Sequence, residues 1–126
     1  MALAESSSVR LLMPGGEVRS GEPSVVGPST LATIVALRLD TVVPGCSGIS
    51  PDGQVTTHDL GDAAVKQALI SCARRTVLVL DGSKFTHSAM AAVCDATSLD
   101  VVVTDDTAPA AANASLEAAG TVVHRV

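Results

Sequence analysis

There is no tryptophan and no tyrosine in this chain, and Phe85 is its single phenylalanine. Hydrophobic residues still make up 47% of its 126 positions. The core must therefore be assembled from valine, leucine, isoleucine and alanine, each of which buries less area than an aromatic ring. That composition suits a Val/Ile-rich parallel sheet covered by Ala-rich helices, and the length allows one domain and not two. Positive charge is equally scarce. Lys66 and Lys84 are the only lysines, six arginines are scattered from Arg10 to Arg125, and the formal net charge is −5. With neither a basic surface nor rings for stacking bases, direct nucleic-acid binding by this chain is not expected. Cys46, Cys72 and Cys94 are odd in number and far apart in sequence. They match no zinc spacing and no disulfide framework, which favours a reducing cytoplasm. His58, His87 and His124 show no metal spacing either, and no cofactor is implied. No stretch approaches the roughly 20 apolar residues needed to span a bilayer, and no basic, apolar leader precedes the first expected strand.

The chain has a clear alternation of elements. Residues 1–8 are small and polar, like the frayed end of a helix. Val9 to Met13 reads as a strand ended by Pro14-Gly15-Gly16, and Glu17 to Val26 as a second extended piece. Gly27-Pro28-Ser29 starts a helix whose buried face is Leu31, Ile34, Val35 and Leu37. Thr41 to Val43 is a core strand that breaks at Pro44-Gly45 and continues as Cys46-Ser47-Gly48-Ile49. Ser50 to His58 reads as a polar loop around the turn Pro51-Asp52-Gly53. Asp59 caps the next helix, with Val65, Leu69, Ile70 and Ala73 at helical spacing and Arg74-Arg75 at its C-terminus. Thr76 to Leu80 is an unbroken β-branched and leucine run, expected to be a strand buried on both faces. Ser83 to Cys94 reads as carrying a short helix, and Val101 to Thr104 as a strand. Thr107 is expected to cap an Ala-rich helix that stops at Gly120, before a last strand from Thr121 to Arg125. This order predicts an α/β fold with a mostly parallel, layered sheet.

The stretch from Asp62 to Phe85 holds both lysines, one on the helix and one on the Asp81-Gly82-Ser83-Lys84 turn after the buried strand. A helix–strand unit of this kind can bring two such lysines to one mouth of a parallel sheet, where α/β folds place ligands. The alternative is two solvated surface lysines, and on charge alone that is the commoner case. Asp62 and Lys66 form an i,i+4 pair that supports the helix, or Asp62 contacts a ligand. Cys46 beside Ser47 has no histidine with an evident pairing geometry, so a small residue in a tight turn outweighs a nucleophile there.

Three segments together carry a resemblance. The first is Leu11-Leu12-Met13-Pro14-Gly15-Gly16-Glu17-Val18-Arg19 with Val25-Val26-Gly27-Pro28. The second is Gly45-Cys46-Ser47-Gly48-Ile49 with Gly53 and Thr56-Thr57. The third is Asp62, Val65-Lys66, Leu80-Asp81-Gly82-Ser83-Lys84-Phe85 and Val102-Val103-Thr104-Asp105. In this order and spacing the chain resembles the C-terminal sensor domain of the DeoR family of bacterial sugar-responsive repressors. The resemblance implies an isomerase-like α/β sensor domain lacking its first βα unit, without the helix-turn-helix domain that binds operator DNA. It implies a phosphorylated sugar as effector and a homo-oligomer as the assembly. Its candidate ligand residues here are Gly45, Cys46, Ser47 and Gly48 through backbone amides, Lys66 and Lys84 for anionic oxygens, Ser83 through its hydroxyl, and Asp81 as turn-former or sugar-hydroxyl acceptor.

That family is in turn similar to ribose-5-phosphate isomerases, whose chemistry needs a carboxylate base. The isomerase segment matching Pro44 through Ile49 is rich in acids, and here it holds none. Val65 stands where the isomerases place a glutamate before the lysine. The resemblance therefore implies a ligand sensor and not a catalyst. A small sugar-phosphate isomerase is the enzyme alternative, and a purely structural oligomerisation module is the other.

Overall fold

A computed structural model describes residues 2–126. Its elements run α1 (Ala2–Glu5), β1 (Glu17–Val18), β2 (Val25–Val26), α2 (Pro28–Val35), β3 (Leu39–Val42), β4 (Gly48–Ile49), β5 (Gln54–Thr57), α3 (Leu60–Cys72), β6 (Ala73–Val79), β7 (Ala91–Asp95), β8 (Val101–Thr104), α4 (Ala110–Ala118) and β9 (Val122–Arg125). Two 3-10 turns, Gly82–Thr86 and Ala96–Ser98, flank β7. The strands sort into a parallel sheet ordered β3-β6-β8-β9, an antiparallel sheet ordered β4-β5-β7, and the small hairpin β1-β2. The α/β class holds, with parallel pairing confined to the four-stranded sheet.

The core lies between the two larger sheets and the helices. Leu78 and Leu80 from β6 and its end, and Val102 from β8, meet Val55 and Val93 of the antiparallel sheet, Ala63 of α3, Leu116 of α4, and Phe85. Small side chains allow this close approach, and the lone ring fills the space between the sheets and α4. Asp59 caps α3 as expected, its Oδ1 accepting the Asp62 amide at 2.8 Å. Gly120, at φ 91°, follows the end of α4, in the left-handed conformation that glycine adopts without strain.

Several expectations are corrected. Val9 to Met13 forms no strand, because a strand needs a ladder partner and none lies beside it; Leu12 is 70% exposed. The polar stretch after Gly53 is the return strand of a hairpin, β5, turning at Gly53 (φ 86°). Its threonines are buried because their hydroxyls find partners, Thr56 on the Gly48 carbonyl at 3.1 Å and Thr57 on Asp62 at 2.8 Å. The short helix expected within residues 83–94 is present as the 3-10 turn Gly82–Thr86, but the stretch then continues as a strand, β7, which was not expected. Ala91 and Val93 alternate inward while Ala92 faces out, so the sheet overrides alanine's helix propensity. Ile49 belongs to the antiparallel sheet and does not continue β3. Arg74 and Arg75 lie inside β6, which follows α3 with no loop. Thr107 does not cap α4, which begins after Pro109; its hydroxyl bonds Asp105 instead. On the α2 face Val35 is exposed. The second face of the parallel sheet, finally, is only partly covered: Val101 is buried there, but Val79 is 49% and Val122 53% exposed.

Candidate functional site

Every parallel strand of this sheet ends on the same side, and the loops that follow β3, β6 and β8 meet there with the N-terminus of α3. The loop after β3, residues 43–47, leads into β4. Gly48 lies so close to the segment after the 3-10 turn that a Cβ on it would sit 2.2 Å from the His87 carbonyl oxygen. The same loop is tied to β5 by the Ser47 amide on the Thr56 carbonyl at 2.9 Å. Thr56 then reaches onward, its Oγ1 accepting the Ala89 amide at 2.9 Å. His87 Nδ1 lies 2.8 Å from the Ser83 carbonyl. These bonds fasten the Cys46-Ser47-Gly48 loop to the turn that carries Ser83 and Lys84.

The turn itself is closed from within. Asp81 accepts the Ser83 amide at 2.9 Å and also the Ser83 hydroxyl. The hydroxyl bond first, and then the amide bond, hold its carboxyl below the ordinary range. Asp105 braces the turn from the next strand end, accepting the Gly82 amide at 3.1 Å. Gly82 is packed so tightly on Thr107 and Ala108 that a Cβ would come within 2.3 Å of their backbone.

Across the loop, Lys66 Nζ donates to Asp62 Oδ2 at 2.7 Å, and Thr57 Oγ1 donates to the same oxygen at 2.8 Å. The Lys66 and Asp62 side chains keep 17% and 11% of their surface exposed. Burial opposes ionisation of Asp62, but the hydrogen bonds from Lys66 and Thr57 outweigh it and lower its pKa. Arg19 adds positive charge nearby, with its Nε 3.7 Å from Asp59 Oδ1. Cys46 is half-buried in the loop. Burial, and to a lesser extent Asp81, push its thiol up, while Lys66, then Lys84, and the Gly48 backbone pull the other way.

The structure thus brings Gly45 into one lining with Lys66, and ties Gly48 of the same loop, with Cys46 and Ser47, through His87 to the turn of Asp81, Ser83 and Lys84. It does not join all eight in one cavity. A cleft of about 670 Å³ takes in Gly45, Asp62 and Lys66 among walls that include Val42, Pro44, Val65 and Leu69, a volume suited to a small molecule. The turn with Lys84 lies beside it. Of the loop's four amides, that of Ser47 is already engaged, and the Ser83 hydroxyl is turned to Asp81. Sequence reasoning passed over the place of Thr57 and Arg19. The cues were their places in the resembling segments and, for Thr57, its five-residue spacing from Asp62 across a helix start. Among the described residues no cluster of three or more His, Cys, Asp or Glu side chains forms a metal site.

The sequence profile of the DeoR C terminal sensor domain matches residues 1–106. The chain belongs to the DeoR C-terminal sensor domain family. Its similarity to individual members runs the same way. It is 37% identical over 100 residues to the glycerol-3-phosphate regulon repressor of Escherichia coli K12, covering 79% of this chain and 40% of that protein. It is 30% identical over 122 residues to the putative aga operon transcriptional repressor of Escherichia coli O157:H7, covering 97% of this chain and 45% of that protein. It is 29% identical over 107 residues to the HTH-type transcriptional repressor CsqR of Escherichia coli K12, covering 85% and 41%. The chain thus spans less than half the length of the curated relatives it matches. These DeoR-family relatives are named as regulators of transcription, which supports a sensor and not an enzyme. Among the described residues no helix is long and apolar enough to cross a membrane.

Proposed function

We propose that this chain is the effector-sensing part of a cytoplasmic DeoR-type transcriptional regulator, and that it binds a phosphorylated sugar or polyol at the strand-end mouth. The observation that carries the reading is the cleft at the strand ends that takes in Gly45 and Lys66, with the same loop tied through Gly48 and His87 to the turn that carries Lys84. An anion over that loop meets the Lys66 ammonium, with Lys84 on the tied turn, and charge-assisted hydrogen bonds of this kind are the stronger ones. Gly45 and Cys46 offer backbone at the loop, Ser47 and Gly48 hold it to β5, and Asp81 with Ser83 shapes the turn that presents Lys84. The apolar walls of the cleft suit the C–H faces of a carbon chain. One relative, in Escherichia coli K12, is named a glycerol-3-phosphate regulon repressor, which supports a phosphorylated polyol as a ligand to test.

In a whole regulator, occupancy of this site changes the grip on DNA, and DNA contact belongs to parts of the protein outside the matched stretch. The regulator works as a homo-oligomer. The test is a thermal-shift panel of glycerol 3-phosphate, ribose 5-phosphate and glucose 6-phosphate, with sodium sulfate as the control. A ligand that binds only the folded state raises the melting temperature with concentration. A rise for one or more of the three, beyond that for sulfate, is expected. Flat melting curves across the panel at millimolar ligand overturn the reading.

A further inference from the structure

Asp62 presents a chemical problem at a site for an anion. Its carboxylate lines the same cleft as Lys66, and these two are the charged residues of that lining among the described residues. A carboxylate beside a phosphate is repulsive, and a lysine shared with an internal carboxylate attracts an incoming anion less. The arrangement is nevertheless built with care. Oδ2 takes both the Thr57 hydroxyl and the Lys66 ammonium. The Asp62 amide is pinned by Asp59, so the residue is fixed at backbone and side chain alike. Among the described residues Oδ1 receives no protein donor, and it is not sealed away as a buried unpartnered atom. An ionised carboxylate is an acceptor only. What satisfies Oδ1 from the cleft must therefore be a donor, and on a phosphorylated sugar or polyol the donor is a hydroxyl.

We infer that Asp62 is the specificity-determining residue of this cleft, accepting a ligand hydroxyl on Oδ1 while its charge rejects phosphates that carry no hydroxyl. The inference rests on the proposed site and refines it. Lys66 supplies attraction, Asp62 subtracts part of it, and only a ligand with a well-placed hydroxyl recovers the difference. Discrimination of this kind combines an attractive contact with a repulsive one. A hydrogen bond to a charged group is worth about ten-fold or more in affinity.

The experiment is calorimetric titration of the wild type and Asp62→Asn with the same three hydroxylated phosphates, and with n-propyl phosphate and inorganic phosphate, which lack a carbon-borne hydroxyl. In the wild type, at least one hydroxylated ligand is expected to bind about ten-fold or more tighter than propyl phosphate. In Asp62→Asn the gap narrows, because the hydroxyl contact weakens and Lys66 is released to simple phosphates. Wild type that binds propyl phosphate as tightly as the hydroxylated compounds overturns the inference and leaves the anion site standing. Wild type that binds none of the five overturns both. An Asp62→Asn variant that folds and keeps the full preference also overturns the inference. Should that variant not fold, the wild-type comparison alone decides.

Discussion

Replacing Lys84 with alanine removes a positive charge from a side chain that, among the described residues, pairs with no carboxylate. The expected outcome is loss of phosphosugar affinity by roughly ten-fold, with the melting temperature nearly unchanged. Calorimetry and a thermal melt on the same preparation check both halves, and an affinity equal to wild type makes Lys84 an ordinary surface charge. Lys66 is different because its ammonium is the counter-ion of Asp62 at 2.7 Å. Lys66→Ala leaves a largely buried carboxylate unpaired, a change that costs up to about 3–5 kcal/mol when burial is complete. Its binding defect must therefore be read alongside its stability. Asp62 also sets a pH dependence. Its folded pKa lies below the ordinary 3.8, so its stabilising contribution is full above that value and is lost as pH falls through the lowered one. Asp62→Asn is expected to be less stable at neutral pH and to lose stability less steeply below about pH 4, followed by urea denaturation from pH 7 to pH 2. An acid limb as steep as wild type counts against this. Cys94, pushed up to about 11 by burial first and then by Asp95 and Cys46, stays a thiol throughout that range.

Gly45 and Gly48 bound one loop and make opposite demands on it. A Cβ at position 45 meets nothing within 4 Å, whereas at position 48 it strikes the His87 backbone. Gly48→Ala is expected to lower stability by about 1–3 kcal/mol and to weaken ligand binding, because the loop must part from the segment that follows Lys84. Gly45→Ala is expected to melt like wild type, and equal melting temperatures for the two variants would refute the argument. The element scale is also where the sequence was most and least readable. The capped helix α3, the valine-rich strands β6 and β8, and the Asp81–Lys84 turn were legible because periodicity and capping chemistry act over a few residues. The antiparallel sheet was not. β5 hides its burial in threonine hydroxyls whose partners, Gly48 and Asp62, are set by tertiary structure, and β7 is written in alanines. The site residues that sequence reasoning proposed, the two lysines among them, stand as proposals for the ligand. The Thr57–Asp62–Lys66 bonding was legible only in its i,i+4 half, since the contact with Thr57 depends on where β5 delivers it.

At the scale of the whole molecule, the parallel sheet presents a partly open face, on which Val101 is buried and Val77 and Val103 are half-buried. The register pairs Val77 with Val101, Val79 with Val103, and Val101 with Val122, so these side chains share one side. Leu78, Val102 and Val123 occupy the other, against the core. Parallel sheets are normally covered on both sides, and burying a valine fully is worth about 1.5–3 kcal/mol. Val79 and Val122 forgo roughly half of that while they face water, at 49% and 53% exposure. An apolar patch of this kind on an isolated chain drives association. The 126-residue chain is therefore expected to sediment as more than a monomer at tens of micromolar and to bind a hydrophobic dye in its native state. Val122→Lys places a solvated ammonium on that face at the start of β9, the end of the sheet away from the mouth, without touching the core side of the strand. It should return the chain toward monomer and reduce dye binding while phosphosugar affinity is kept, because the cleft lies among α2, α3 and the end of β3. Sedimentation velocity on both proteins decides the point. A wild type that is monomeric across the micromolar range would mean that Val79 and Val122 are tolerated in water without a partner.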